Sequence, residues 1–158
     1  MSLPGLNSDF TDFLGCLITN EVRFLVVGAH ALAVHGVPRA TGDLDVWIEP
    51  TPANAAKAWS ALAEFGAPAA ALGFTTSDLA TADVVLQVGL PPRRIDLLTT
   101  ISGVEFADAW GARQQVDVGG ATIPFLGRQA LVLNKRATGR PKDLADLEAI
   151  GGLDESKP

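Results

Sequence analysis

Phe24-Leu25-Val26-Val27-Gly28-Ala29, followed after thirteen residues by Asp43-Leu44-Asp45-Val46-Trp47-Ile48-Glu49, is the stretch whose reading decides the fold. The first segment is a short apolar run ended by glycine, which suits a buried strand. Ala29 to Val34 then supplies good helix formers and stops at His35-Gly36, where glycine can close the helix. The second segment alternates. Residues two apart on a strand share a face, so Asp43, Asp45, Trp47 and Glu49 lie on one side and Leu44, Val46 and Ile48 on the other. The apolar set is a natural core face, and the other brings two acids together where the strand begins.

Outward from this unit, helices are expected over Ser8 to Asn20, with Ser8 as N-cap, and over Pro52 to Phe65. Val84 to Val88 and Arg94 to Thr99 read as strands joined through Gly89-Leu90-Pro91-Pro92. Val104 to Trp110 reads as a helix, Gln114 to Phe125 as a hairpin turning at Gly119-Gly120. Arg128 to Ala137 and Pro141 to Ile150 read as two closing helices. Strands and helices mix without regular βαβ alternation, so the fold class is α+β (mixed α/β). Residues 1–150 form one expected domain and residues 151–158 a frayed, flexible tail.

The chain has 158 residues, 47% hydrophobic and 19% charged, which suits a globular domain. Cys16 is its one cysteine, and the N-terminus lacks a basic segment followed by an apolar stretch. A reducing, cytoplasmic setting without membrane span or signal peptide is therefore expected. A net charge of −6 argues against an extended duplex nucleic-acid groove. Arg128, Lys135, Arg136, Arg140 and Lys142 nevertheless cluster in fifteen residues. They suit either a solvated helix face or an anion site.

Asp96 lies between Ile95 and Leu97 in a strand-like run, and aspartate is a poor strand former. Were the two acid-bearing strands neighbours, Asp43, Asp45 and Asp96 would converge. Their repulsion calls for a counter-cation, and Mg²⁺ (or Mn²⁺) accepts such hard oxygen ligands together with phosphates. A turn-capping Asp43 beside a solvated Asp45 also satisfies the pattern. The glycine at the strand–helix junction suits phosphate, since the first helical N–H groups and the dipole attract anions there.

The ordered motifs h-G-A, D-h-D-h and h-D-h resemble those of the nucleotidyltransferase superfamily related to DNA polymerase β. V-G-A-H-A-L-A-V-H-G-V-P-R-A-T-G-D-L-D-V, P-P-R-R-I-D-L-L and N-K-R-A-T-G-R-P-K-D-L-A-D-L-E are similar to its minimal bacterial branch, with relatives among AbiEii-type toxins. The resemblance spans about Phe24 to Ile150. It implies a nucleotidyltransferase fold, a mixed β-sheet flanked by helices, in which Asp43, Asp45 and Asp96 are catalytic and metal-binding. It also implies an NTP held at Gly28-Ala29, with Lys135 on the triphosphate. Ala29 departs from the usual glycine or serine and removes one hydroxyl.

The implied activity is transfer of an NMP to a hydroxyl acceptor, such as a tRNA end, a protein or a small molecule, with release of pyrophosphate. The alternative is a nucleotide-binding or partner-binding toxin–antitoxin module with little transfer activity. His30, beside the glycine turn, and Arg39, on the loop before Asp43, are further candidate nucleotide contacts. His30 and His35 are about 140° apart on a helix and cannot share a metal. Asp143 follows Pro141 and suits a helix cap, although the K-D-x-x-D-L motif sets it near Lys135. Trp47 suits packing or base stacking equally, and Cys16 suits the core.

Overall fold

The computed structural model describes residues 6–38, 42–91 and 93–151. In chain order they form α1 (Ser8–Thr19), β1 (Phe24–Val27), α2 (Gly28–Val34), β2 (Leu44–Ile48), α3 (Pro52–Phe65) and a 3₁₀ turn (Thr76–Ala80). There follow β3 (Val85–Val88), β4 (Ile95–Leu98), α4 (Phe106–Gly111), β5 (Gln114–Val118), β6 (Ala121–Phe125), α5 (Arg128–Thr138) and α6 (Pro141–Ala149). The elements match those read from the pattern except for the 3₁₀ turn, whose five residues are too short to carry a periodicity. Arg39 and the tail beyond Gly151 lie outside the described residues. Among the described residues no helix is long and apolar enough to cross a membrane.

The six strands form one mixed sheet in the order β3-β4-β2-β1-β6-β5. β1 runs antiparallel to β2 and parallel to β6, while β2 runs parallel to β4. β3 and β5 pair antiparallel at the two edges. The central position of β1 explains its uninterrupted apolar run, since all four of its residues are buried. On β2, Leu44, Val46 and Ile48 are wholly buried, as the alternation requires.

The opposite face of β2 is only partly wet. Trp47 is buried, donates its indole N–H to the Thr99 carbonyl at 3.2 Å, and meets Phe106 edge-on at 5.0 Å. It packs, and no base can stack on it. An indole with one satisfied N–H is stable in a core, and the α4 aromatic covers it.

Asn7, rather than Ser8, caps α1, its side chain accepting from the Phe10 N–H at 3.0 Å. Asparagine caps as well as serine does, so the first competent residue takes the place. Phe10, Phe13, Leu14 and Leu17 form the buried stripe of α1. Thr51 caps α3 and Gly66, with φ of 90°, ends it.

Asn54 on α3 ties this helix to the sheet. Its amide accepts from Arg23 N at 2.8 Å and donates to the carbonyls of Arg23 at 3.0 Å and Glu49 at 2.9 Å. These backbone groups lie where β1 begins and β2 ends, at the opposite end of the strand pair from Asp45. Asn54→Ala leaves Arg23 N without its side-chain acceptor, while the Arg23 and Glu49 carbonyls still accept from Glu49 N and Thr51 N, so a loss of about 1–3 kcal/mol is expected. Thermal unfolding should show Tm falling by several degrees, and an unchanged Tm would contradict this role.

Candidate active site

The pairing of β2 with β4 sets Asp45 directly opposite Asp96. The pairing of β1 with β2 sets Val27, the residue before Gly28, opposite Asp45. Two acids and the glycine turn therefore meet at one place on three neighbouring strands. Gly28 has a φ of 70°, and a Cβ there would run into the Asp45 carboxylate, whose Cγ would be 3.2 Å away. The glycine is thus required by Asp45 as much as by any phosphate.

These residues line a cleft of about 600 Å³. One wall holds Gly28, Ala29, Asp43, Asp45 and Asp96, and the other Asn134, Lys135, Arg140, Lys142 and Asp146. Leu32, Leu98 and Ile101 add an apolar part. A hollow of about 710 Å³ beside Trp47 and Thr99 is larger, but its charged lining is Glu49, Asp83 and Glu105. It offers an anion no cation among the described residues, so volume alone does not select the site.

The acidic wall is not bare. Arg94 Nη2 lies 3.0 Å from Asp43 Oδ2, and Arg94 Nε donates to Asp96 Oδ1 at 2.9 Å. Asp45 stands deeper. Burial, the Asp96 and Asp43 charges and a hydrogen bond with Asp96 together push its carboxyl up to about 6. Sequence reasoning passed over Arg94, although its place two residues before Asp96 puts both on one strand face.

The facing wall carries its own charge network. Lys135 is 8% exposed, and its Nζ lies 3.1 Å from Asp146 and 3.4 Å from Asp143. Leu133 is 51% exposed, and the buried face of α5 runs through Ala130, Leu131, Val132 and Lys135. Leu131 and Lys135 are four apart, so the lysine stem follows the buried row and its ammonium meets α6.

Asp143 is fully buried, and burial alone would raise its carboxyl. Hydrogen bonds from Arg140 and Thr138 and the Lys135 charge instead hold it well below the usual range. It both caps α6, accepting from Arg140 N at 3.1 Å, and faces Lys135, so its two sequence readings are compatible. Of the basic cluster, Lys135, Arg140 and Lys142 line the cleft, whereas Arg128 donates to the Ile150 carbonyl at the end of α6.

His30 is corrected. Its ring is wholly buried, edge-on to Phe10 at 5.9 Å, and it does not line the cleft. It is the third residue of α2 and falls on the core side of that helix, where burial lowers its pKa. His35 meets the Leu126 carbonyl at 2.8 Å and so ties the end of α2 to the segment after β6. Cys16 is partly buried against the core, as expected.

As a donor set, three carboxylates on adjacent strands suit a hard divalent ion. Among the described residues, however, no group of three or more His, Cys, Asp or Glu is already gathered to hold a metal. The Arg94 guanidinium takes up Asp43 and Asp96 instead. The chemistry of the ligands fits, and an arginine stands between them.

No protein-family model matches the chain, and no curated protein matches it significantly. Among solved structures, one from Thermotoga maritima, provisionally named a nucleotidyltransferase, matches with a TM-score of 0.54 at 15% identity. The match covers 90% of this chain and 86% of that one. The likeness shows the fold: a nucleotidyltransferase-like mixed sheet flanked by helices.

The raised Asp45 carboxyl gives a pH test in metal-free protein. Between its ordinary value of 3.8 and about 6 the folded state holds a proton that the unfolded chain has lost. Asp45 therefore contributes stability at low pH that fades as pH rises through this window. Buried His30 acts with the opposite sign, so the difference between variant and wild type is the quantity to read. Asp45→Asn should gain a few degrees in Tm on wild type between pH 4 and pH 7, in EDTA. A difference that stays flat with pH contradicts the assignment.

Proposed function

We propose that the chain is a metal-dependent nucleotidyltransferase, moving an NMP from an NTP to a hydroxyl acceptor. The observation that carries this reading is the Asp45–Asp96 pair beside the Gly28 turn, facing Lys135 across one cleft. The fold likeness supports a nucleotidyltransferase scaffold, and the charges of this cleft supply the chemistry.

In this reading the triphosphate lies between Gly28-Ala29 and the basic wall, where Lys135, Arg140 and Lys142 face its oxygens. Asp43, Asp45 and Asp96 would hold Mg²⁺ or Mn²⁺, which when bound neutralises charge on the carboxylates and the phosphates. The acceptor oxygen attacks the α-phosphorus, its proton passes to Asp96, and the bond to the β-phosphate breaks with loss of pyrophosphate. Asp96 suits the proton-accepting role because it lines the cleft and its side chain keeps 13% exposure. Asp43 keeps 30% exposure and stands nearer the mouth. Leu32, Leu98 and Ile101 offer an apolar surface for the nucleoside. A tRNA end, a protein hydroxyl or a small molecule would serve as acceptor in a cytoplasmic setting.

A second reading is a nucleotide-binding or partner-binding component of a toxin–antitoxin pair, akin to AbiEii-type proteins, with little transfer activity. The Arg94 hold on two of the three acids favours it, because an arginine can satisfy an acidic cluster without catalysis.

Asp96→Asn separates the two. The change is nearly isosteric and leaves Gly28, Asp43, Asp45 and Lys135, so NTP affinity in Mg²⁺ should persist within a few-fold. Transfer of label from α-³²P NTPs to acceptors in a cell extract should fall roughly 10²–10³-fold, the cost of one preorganised electrostatic partner. Equal transfer by both proteins would remove Asp96 from the chemistry. Intact binding with no transfer by wild type, across all four NTPs, would favour the second reading.

A further inference from the structure

We propose that Arg94 is a built-in counter-cation of the acidic cluster, so that a divalent ion loads only by displacing its guanidinium from Asp43 and Asp96. The inference rests on reading Asp43, Asp45 and Asp96 as the ion's ligands. Arg94 spans two elements: Nη2 is 3.0 Å from Asp43 at the entry to β2, and Nε is 2.9 Å from Asp96 on β4. Nη2 also reaches the second Asp96 oxygen at 3.4 Å, so both oxygens of that carboxylate face the guanidinium. A planar fork of this kind is the geometry in which arginine binds carboxylate most firmly. The same oxygens are those an ion would need.

The backbone of Arg94 is held in place, because its carbonyl accepts from Leu44 N at 3.0 Å where β2 and β4 meet. Its side chain leaves the strand on the face of Asp96, two residues on, and is 29% exposed where it lines the cleft. A guanidinium so placed can swing into the cleft without moving the sheet. Released there, it adds one cation beside those of Lys135 and Arg140. The device keeps paired acids from repelling one another in the metal-free protein and sets a threshold for loading.

The test is Mn²⁺ binding to EDTA-stripped protein without nucleotide, read from free Mn²⁺ by electron paramagnetic resonance. Far-UV circular dichroism and Tm of each variant check its fold. Arg94→Lys keeps the charge but cannot fork across both carboxylates, and Arg94→Gln removes charge and fork together. Both should bind Mn²⁺ at least about tenfold more tightly than wild type and melt lower without metal. Unchanged or weaker Mn²⁺ affinity in Arg94→Lys overturns the proposal, because a gain confined to Arg94→Gln would reflect charge alone. Asp45→Asn is the control for the underlying reading. Loss of Mn²⁺ binding in that variant, with Arg94→Lys unchanged, overturns the displacement and spares the metal site. Binding that survives Asp45→Asn overturns both.

Discussion

Parallel pairing of β2 with β4 holds Asp45 against Asp96, and much of the surrounding structure answers to that contact. Two carboxylates ~4 Å apart repel by about 4 kcal/mol at an effective dielectric of 20, so both cannot stay charged there unaided. The chain meets this in three ways. Asp45 keeps a proton up to about pH 6 and shares a hydrogen bond with Asp96. Arg94 brings a positive charge from the same strand. Gly28 leaves out a side chain, so that the Asp45 carboxylate has room against the turn after β1.

The facing wall is balanced differently. Asp143 and Asp146 on α6 are buried, and Lys135 from α5 and Arg140 from the turn between the helices match them charge for charge. Removing one member of such a network leaves an uncompensated buried charge, which is costly. The network therefore fixes α5 against α6, and Asn134, donating to the Ser102 carbonyl at 3.0 Å, fixes α5 against the segment after β4. The cleft is the gap between a wall short of cations and a wall that holds several. On the proposed function, a metal–triphosphate complex, which carries both signs, would fill that gap.

Much of this was legible in the residues. The apolar run of β1 ended by Gly28, the alternation of β2 and the lone acid of β4 have one simple reading each, and the strands formed accordingly. Asp43, Asp45 and Asp96 stood out because acids at or within strands are conspicuous, and the β2–β4 pairing brings them to one cleft. What stayed hidden depended on which face of a helix turned inward or on which strands became neighbours. His30 and Trp47 look available in the sequence, but the packing of α2 on Phe10 and of α4 on β2 closes over them. Lys135 sits in a row of apolar residues, and the acids of α6 that allow its burial become neighbours only after folding. Arg94 was visible as a residue, but its reach to Asp43 exists only across the β2–β4 seam.

The central proposal is that one metal–nucleotide complex binds in the cleft between these walls. The direct measurement is paramagnetic broadening of backbone amide signals when Mn²⁺ and an NTP are added together to labelled protein. The account predicts selective loss of the Gly28, Asp45 and Asp96 signals, reversed by EDTA, while Asn54 and Trp110 stay sharp. Broadening centred away from those three residues, or none at saturating Mn²⁺ and NTP, would contradict it.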